Sequence, residues 1–476
     1  MLFAVSARAS AEPSRAEANE LPAEPISWTS YANDNQLHNS VSSESLTRQS
    51  VRRLSLLWTA KLDGAIYASP LALKVAGRQL LYVSTEAGSV YALSAANGAI
   101  VWQRDLGTVA TEECGTWGLT STGAIDETRR LLFVIGATGS LHALDVATGS
   151  ESEGYPRQIV TATNYEYAWG GLRIAAGRLY IPIASYCDVG PPDGPFPEGR
   201  LVSIPLDRPD AVEVWDPVPG PENLGGVWGW GGVSVDPADG SIYTAVGNSH
   251  TWSEECGCYV DDAGYGDNIV HLTADLTSTL DFQSPSLPAT GDYDFGAAPL
   301  LFQPKGCPPL AAANNKIGSL FIWNRRDLAA GPIASIPLGD GLSAFIGTPA
   351  WSAARQTIYA AQAVLFGGKG RLGNGVRAFQ VVAGCRFEST WAQPVGDGNQ
   401  ATPLIVGDVV FATGGRPGGF YALDARNGAR LWSASTAGRT IAATITVAGA
   451  VVGADASGAV YAFRPSSTST GRVRPQ

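Results

Sequence analysis

Short runs of β-branched and aromatic residues, each cut off by Gly, Asn or Ser, follow one another along most of the chain. Between residues 67 and 106 they come as a set of four: YASPLAL (67–73), LLYVSTE (80–86), SVYALSA (89–95) and AIVWQRDL (99–106). Runs of this length and composition, bounded by turn residues, predict strands. Asn97-Gly98 supplies the positive φ values that a tight hairpin demands, and Trp102 offers a large flat side chain to bury between neighbouring sheets. The unit read from this stretch is a four-stranded sheet whose outer hairpin ends in tryptophan.

The unit recurs with decay. LLFVIGATGSLHALDVATG (131–149) keeps its second and third strands, and RLYIPIAS, GRLVSIPL and VEVW (178–215) make a third unit with a long insertion. SIYTAVGN (241–248), GSLFIWNRRDL (318–328) and TIYAAQA with GVRAFQV (357–381) belong to the fourth, fifth and sixth. The seventh, ending in FYALDARNGARLW (420–432), is the cleanest, and the eighth (441–465) stops after three strands. Ahead of the first unit, LSLLWTAKLDG (54–64) reads as a spare Trp-bearing fourth strand. Pairing the two ends of the chain in one sheet solves both problems and leaves no open edge. We therefore expect an all-β fold, a single eight-bladed β-propeller of four-stranded blades over residues 26–465. Its ring is closed by the N-terminal strand pairing with the last blade. Roughly 50 residues per unit suits such blades, whereas a linear solenoid would need capping units that are not evident.

Composition agrees with this reading. Charged residues make up only 16%, Gly and Pro number 56 and 30, and Met occurs once, a profile of strands and turns. The formal net charge of −11 comes without any run of Lys or Arg, which argues against nucleic-acid and anionic-membrane partners. No apolar stretch reaches the roughly 18 residues of a transmembrane helix. The start, MLFAVSARASAEP, carries small residues resembling a signal-peptidase site around Ala7–Ala11, but Leu2–Val5 is shorter than a secretory apolar region of about 7–15 residues. Residues 1–25 are thus either the remnant of a signal peptide or a plain disordered tail, and the polar residues 466–476 form a second disordered tail. Six cysteines in turn-rich sequence lean toward disulfides and an extracellular or periplasmic location. No Cys-x-x-Cys-His haem motif, zinc pattern, phosphate loop, Gly-x-Ser-x-Gly elbow or His-Glu-x-x-His is present. The Gly-x-Gly-x-x-Gly at Gly368, Gly370 and Gly373 leads into strand-like NGVRAFQVV, so no dinucleotide site is expected.

The phrase Ala-Leu-x-x-x-x-Gly-x-x-x-Trp, at Ala92–Trp102 and Ala422–Trp432 with a partial copy at Ala143–Gly149, resembles the tryptophan-docking repeat of pyrroloquinoline-quinone (PQQ) propellers. Non-catalytic scaffold propellers carry similar repeats, so chemistry must come from the insertions. The segment 225–250 is similar to the Trp-strand-Gly-Asn segment of quinoprotein dehydrogenases. Alignment on Asp236-Pro237 implies Trp230 as the residue stacking on the quinone and Asn248 as a calcium ligand. GYGDNIVHL (264–272) is similar to the segment whose Asp is the catalytic base, here Asp267, which would also face the metal. GDYDFGAAPLL (291–301) resembles the family's Asp-x-Asp segment, with Asp292 and Asp294 as calcium ligands or loop caps. NKIGSLFIWNRRDL (315–328) resembles the Lys-x-Gly strand, implying that Lys316 meets the quinone's oxygens or carboxylates. Asp188 and Glu198 are the two candidates for the calcium-binding acid.

What the resemblance implies is a calcium ion acting as Lewis acid on the quinone, while a carboxylate takes the proton of an alcohol or sugar and hydride moves to PQQ. A separate electron acceptor would then be needed, since no cytochrome is fused. The chain departs from the pattern in lacking adjacent cysteines; Cys256-Gly-Cys258 is the nearest analogue. The competing expectation is a non-catalytic propeller that binds protein or polysaccharide over one face.

Overall fold

The repeated phrase builds the outer edge of one blade and the seam to the next. In the computed structural model, Ser89–Ser94 pairs antiparallel with Ile100–Asp105, with Ala92 opposite Trp102 and a register break between Ala92 and Leu93. Gly419–Asp424 and Arg430–Ser435 repeat this register, with Ala422 opposite Trp432. Each tryptophan then leaves its own sheet. The Trp58 indole N–H donates to the Ala95 carbonyl at 2.9 Å, that of Trp102 to Val146 at 3.2 Å, that of Trp391 to Ala425 at 3.1 Å, and that of Trp432 to Leu54 at 2.9 Å. The ring lies flat on the turn glycine of the next blade. A Cβ at Gly98, Gly149 or Gly428 would stand 2.6 Å from the six-membered ring of Trp58, Trp102 or Trp391 respectively. The phrase is therefore one half of a joint whose other half sits a blade away.

The structure describes residues 27–466 except 161–164, 188–189, 191–195, 221–223, 250, 254, 256–257, 261–262, 288–292, 340–346, 363–374, 397–400 and 416–417. Eight sheets, each built on four antiparallel strands, succeed one another over 71–105, 124–158, 173–215, 234–283, 300–337, 350–393, 404–435 and 445–465, numbered here as blades 1 to 8; Glu166–Tyr167 adds a fifth strand to blade 3 and Ser40–Val41 one to blade 7. Blade 8 takes its fourth strand from the front of the chain, as expected. Leu54–Lys61 pairs antiparallel with Ala459–Pro465, Leu54 opposite Pro465 and Lys61 opposite Ala459. The only helical element among the described residues is one 3-10 turn, Val51–Arg53.

The stretch ahead of that closing strand does something the sequence pattern does not announce. Residues 28–41 run inside the ring and meet the innermost strand of seven blades in order. Trp28 exchanges backbone hydrogen bonds with Ala72 of blade 1 at 2.7 and 2.9 Å, and the Thr29 carbonyl accepts from Ile125 of blade 2 at 2.8 Å. Buried Arg173 of blade 3 donates to Ser30 Oγ at 2.6 Å and to the carbonyls of Tyr31 and Asp34 at 2.9 and 3.0 Å. The carbonyls of Asn35, Gln36, His38 and Asn39 then accept from Val235, Leu301, Trp351 and Ile405 of blades 4 to 7 at 2.8–3.0 Å. Ser40–Val41 lies parallel to Leu404–Val406. Tyr31 and Leu37 fill the centre with Trp169 and Trp230. Burial lowers the Arg173 guanidinium to about 10 against the pull of Asp34 and Tyr31, so it stays charged at neutral pH. Farther along, Arg48 pairs with buried Asp424 at 2.6 Å. Burial alone would raise that carboxyl, but hydrogen bonds and charge from Arg426 and Arg48 outweigh it and hold it at about 2.

Two substitutions test these joints. Gly98→Ala sets a Cβ into the Trp58 ring at a φ of +72° and should cost about 1–3 kcal/mol, read as a fall in melting temperature. Gly77→Ala is the control: its φ is +80° but nothing lies within 4 Å, so it should cost only the backbone strain, about 1 kcal/mol. Arg173→Met strands one hydroxyl and two carbonyls and should destabilise by about 3 kcal/mol. Hydrogen exchange should quicken first at the amides of Ile125, Val235 and Leu301; unchanged exchange there would show that Arg173 does not hold the inner segment.

Candidate functional site

Beside the central aromatic cluster lies a cavity of about 310 Å³. Its floor is set by a glycine-rich crossing. Residues 224–233 lead from blade 3 into blade 4, and the Gly247 amide donates to the Gly226 carbonyl at 2.8 Å, drawing the strand end 245–248 against them. Trp228 projects from this crossing into the cavity. Its indole N–H donates to Asp294 Oδ2 at 2.8 Å, and Asp294 Oδ1 stands 2.7 Å from the Lys316 ammonium. That ammonium also lies 4.8 Å from the centre of the Trp228 ring. Lys316 sits at the turn after Leu310–Asn314, and its backbone amide donates to the Asp294 carbonyl at 2.9 Å. The two residues are thus joined through both backbone and side chain, and both are buried. Such a pair is costly to desolvate and persists only where its geometry is good.

The opposite wall is aromatic. Trp117 meets Trp169 edge-on at 5.0 Å and Tyr186 at 6.1 Å, with Tyr167 behind at 4.6 Å from Tyr186. A disulfide fixes this wall. Cys114, in the hairpin of Val109–Thr111 and Gly115–Trp117, bonds to Cys187 just beyond the strand Arg178–Ser185. Cys187 lines the cavity between residues brought in by Tyr186 and Trp117. A second disulfide, Cys307–Cys385, ties blade 5 to blade 6. Cys256-Gly-Cys258, the sequence's nearest analogue of a cavity disulfide, has its side chains outside the described residues. The described cysteine bridge at the cavity instead spans 73 positions, which local spacing cannot reveal.

Of the residues singled out from sequence, Asn248 and Lys316 line the cavity together. Trp230 is buried one layer deeper, 6.3 Å from Trp169 and packed with Tyr31 and Leu37, while Trp228 faces the cavity. Asp267 is buried behind the floor, its amide donating to the Gly247 carbonyl at 3.2 Å. Glu198 is half-exposed and pairs with Arg200 at 3.0 Å, and Arg200 also meets buried Glu166. Asp188, with Asp292, lies outside the described residues. Asp294, whose segment left a choice between ligand and loop cap, carries the cavity's carboxylate.

The donor set bears on the two cofactors that the resemblance implies. A flat anion suits the cavity, whose lining combines aromatic side chains with an ammonium and an amide. Calcium takes six to eight oxygen ligands. Besides the Ser185 and Tyr186 hydroxyls, the described lining offers one amide and one carboxylate, and of that carboxylate Oδ2 accepts the Trp228 N–H while Oδ1 lies against the Lys316 ammonium. Among the described residues no group of three His, Cys, Asp or Glu side chains is arranged to hold a metal. The described residues therefore do not fit a calcium shell.

Comparison with known proteins finds propeller models at both ends of the ring. Residues 28–163 match the family model described as glucose/ethanol/alcohol dehydrogenase, β-propeller domain, and residues 388–475 match that of the outer membrane protein assembly factor BamB. PQQ-type propeller repeats are thus matched over these two stretches of an eight-bladed ring. Among solved structures it is similar to a quinohemoprotein alcohol dehydrogenase from Pseudomonas putida, with a TM-score of 0.73, 16% identity, and coverage of 95% of this chain and 82% of that one. A europium-containing methanol dehydrogenase gives a TM-score of 0.73 at 17% identity, covering 93% and 98%. BamB from Moraxella catarrhalis gives 0.57 at 13%, covering 86% and 99%. At these identities the likeness is one of fold. No curated protein matches the chain in sequence.

Gly247 gives a direct test of the cluster. A Cβ there would stand 2.9 Å from Asp294 Oδ2 and 3.0 Å from the Trp228 indole nitrogen. Gly247→Ala should part these two groups and shift the fluorescence of Trp228, with melting lowered by no more than about 1–3 kcal/mol. An emission spectrum identical to that of the parent would mean that the contact is not held.

Proposed function

We propose that the cavity binds PQQ and that the chain is a quinoprotein oxidoreductase acting on a small alcohol or sugar. The observation that carries this reading is the Lys316–Asp294–Trp228 cluster, an ammonium, a carboxylate and a flat ring set together in an aromatic-walled cavity. When bound, PQQ supplies the two-electron acceptor for hydride leaving the substrate carbon. The protein's part is binding, orientation and one proton transfer. Lys316, a three-donor cation, holds the anionic oxygens of the cofactor, and Trp228 and Trp169 offer it apolar faces. Asn248 adds an amide to the same lining. Asp294 accepts the substrate hydroxyl proton on its carboxylate, taking the role for which the sequence offered Asp267, since Asp294 borders the cavity. The aromatic wall keeps water from the reacting groups. Electrons leave to a separate acceptor, and the disulfides support an oxidising, periplasmic or extracellular setting.

A second reading, a non-catalytic scaffold, is favoured by the BamB model match over 388–475 and by exposed apolar residues on outer strands, such as Leu280, Phe282 and Ile333.

Reconstitution separates the two. PQQ at a hundredfold excess over its dissociation constant should stabilise the fold by about 2.7 kcal/mol and permit dye-linked oxidation of an alcohol or sugar panel. Asp294→Asn should lower turnover about 10²–10⁴-fold with quinone affinity retained. An unmoved melting temperature would end the oxidoreductase reading.

A further inference from the structure

We infer that the cavity takes its quinone without a divalent metal ion, the Lys316 ammonium donating to the oxygens that a metal would otherwise hold. The inference rests on the proposed binding of PQQ and goes beyond it, because it concerns what contacts the bound anion's oxygens.

Four observations carry it. The one carboxylate among the described cavity residues, Asp294, is approached on Oδ1 by the ammonium at 2.7 Å and on Oδ2 by the indole N–H of Trp228 at 2.8 Å. The space over Oδ2 is further closed by the backbone at Gly247, where even a methyl group would lie 2.9 Å away. A dication seeking Asp294 would have to displace the ammonium or settle beside it, and like charges at such range repel strongly in a buried site. Nor is the ammonium readily displaced. It rests over the Trp228 ring, the favoured side of an indole for a cation, and its residue is pinned by the amide bond to the Asp294 carbonyl. Finally, the described lining adds to Asp294 an amide, Asn248, rather than a second acid. A cation and an amide in one cavity supply donors to carboxylate and carbonyl oxygens, where a calcium shell is rich in acceptors.

The test is binding, with the full chain. Quenching of tryptophan fluorescence by PQQ is titrated in excess EDTA, in calcium chloride and in lanthanum chloride. The expected dissociation constants agree within about twofold, meaning no coupling between metal and quinone. Lys316→Met should weaken binding at least about tenfold, with no rescue by either metal. Binding that appears only with a metal, or tightens about tenfold with one, overturns this inference and leaves the quinone reading standing. Absence of binding under all three conditions overturns the quinone reading and this inference with it. A further arm needs neither quinone nor variant: terbium added to the protein should show no saturable, tryptophan-sensitised luminescence. Saturable emission displaced by calcium and lost in Asp294→Asn would overturn the inference by itself.

Discussion

Antiparallel pairing of Leu54–Lys61 with Ala459–Pro465 is the constraint on which the rest of the architecture depends. Without it blade 8 would be a three-stranded sheet with Ala459–Pro465 as its raw edge, and Leu54–Lys61 would be a strand with no sheet, each a line of unpaired amides and carbonyls open to other chains. Hydrogen bonding the first long strand to the last satisfies both. It also converts seven blade-to-blade seams into eight, because Trp58 now docks on blade 1 from the far side of the closure. The innermost strands are thereby held in a circle, and only a circle gives the inner segment seven partners in succession.

Within that frame the candidate site is an exception to the apolar rule. Blade cores are filled by Val, Leu, Ile and Ala, whereas Lys316 and Asp294 are both buried at the rim of the cavity. A buried ion pair is weak evidence for stability, since an apolar pair of the same shape would often do as well. Its retention here is better understood as fixing a charge in space. The indole of Trp228 serves both partners, donating to the carboxylate and offering its face to the ammonium. Glycine at 247 then follows from the crowding, with no room left for a side chain.

The fold was legible because its joints are periodic. Trp102 and Trp432 stand at a fixed distance from an Ala-Leu pair, and that distance is the hairpin's length. Trp391 makes the same dock from a longer turn, so its role shows only in the indole's bond to Ala425. The inner segment was not legible at all. Its contacts are made largely by its own carbonyls, which every residue possesses, and the side chains that anchor it are far away in sequence: Arg173 is 143 residues from Ser30 and Thr402 is 371 from Tyr31. Lys316 and Asn248 could be picked out because a charge and an amide stand out beside apolar strands. The sequence pointed to Trp230 through its spacing from Asp236-Pro237, whereas Trp228, two residues earlier, is the one that lines the cavity. Asp294 and Asp267 lie in similar Gly-rich sequence, and only packing tells the wall from the layer behind it.

The inner segment has a consequence for how such a chain comes together. Residues 28–61 leave the ribosome ahead of every partner they will have, and the last of those partners, Ala459–Pro465, is made some four hundred residues later. Blades can form one by one as they emerge, each needing only its neighbour. The leading stretch is claimed piecemeal: Trp28 has its partner once blade 1 exists, Asn39 only with blade 7, and the closing strand waits for Ala459–Pro465. A stretch made ahead of all its partners is thus settled in step with the wheel and finished last.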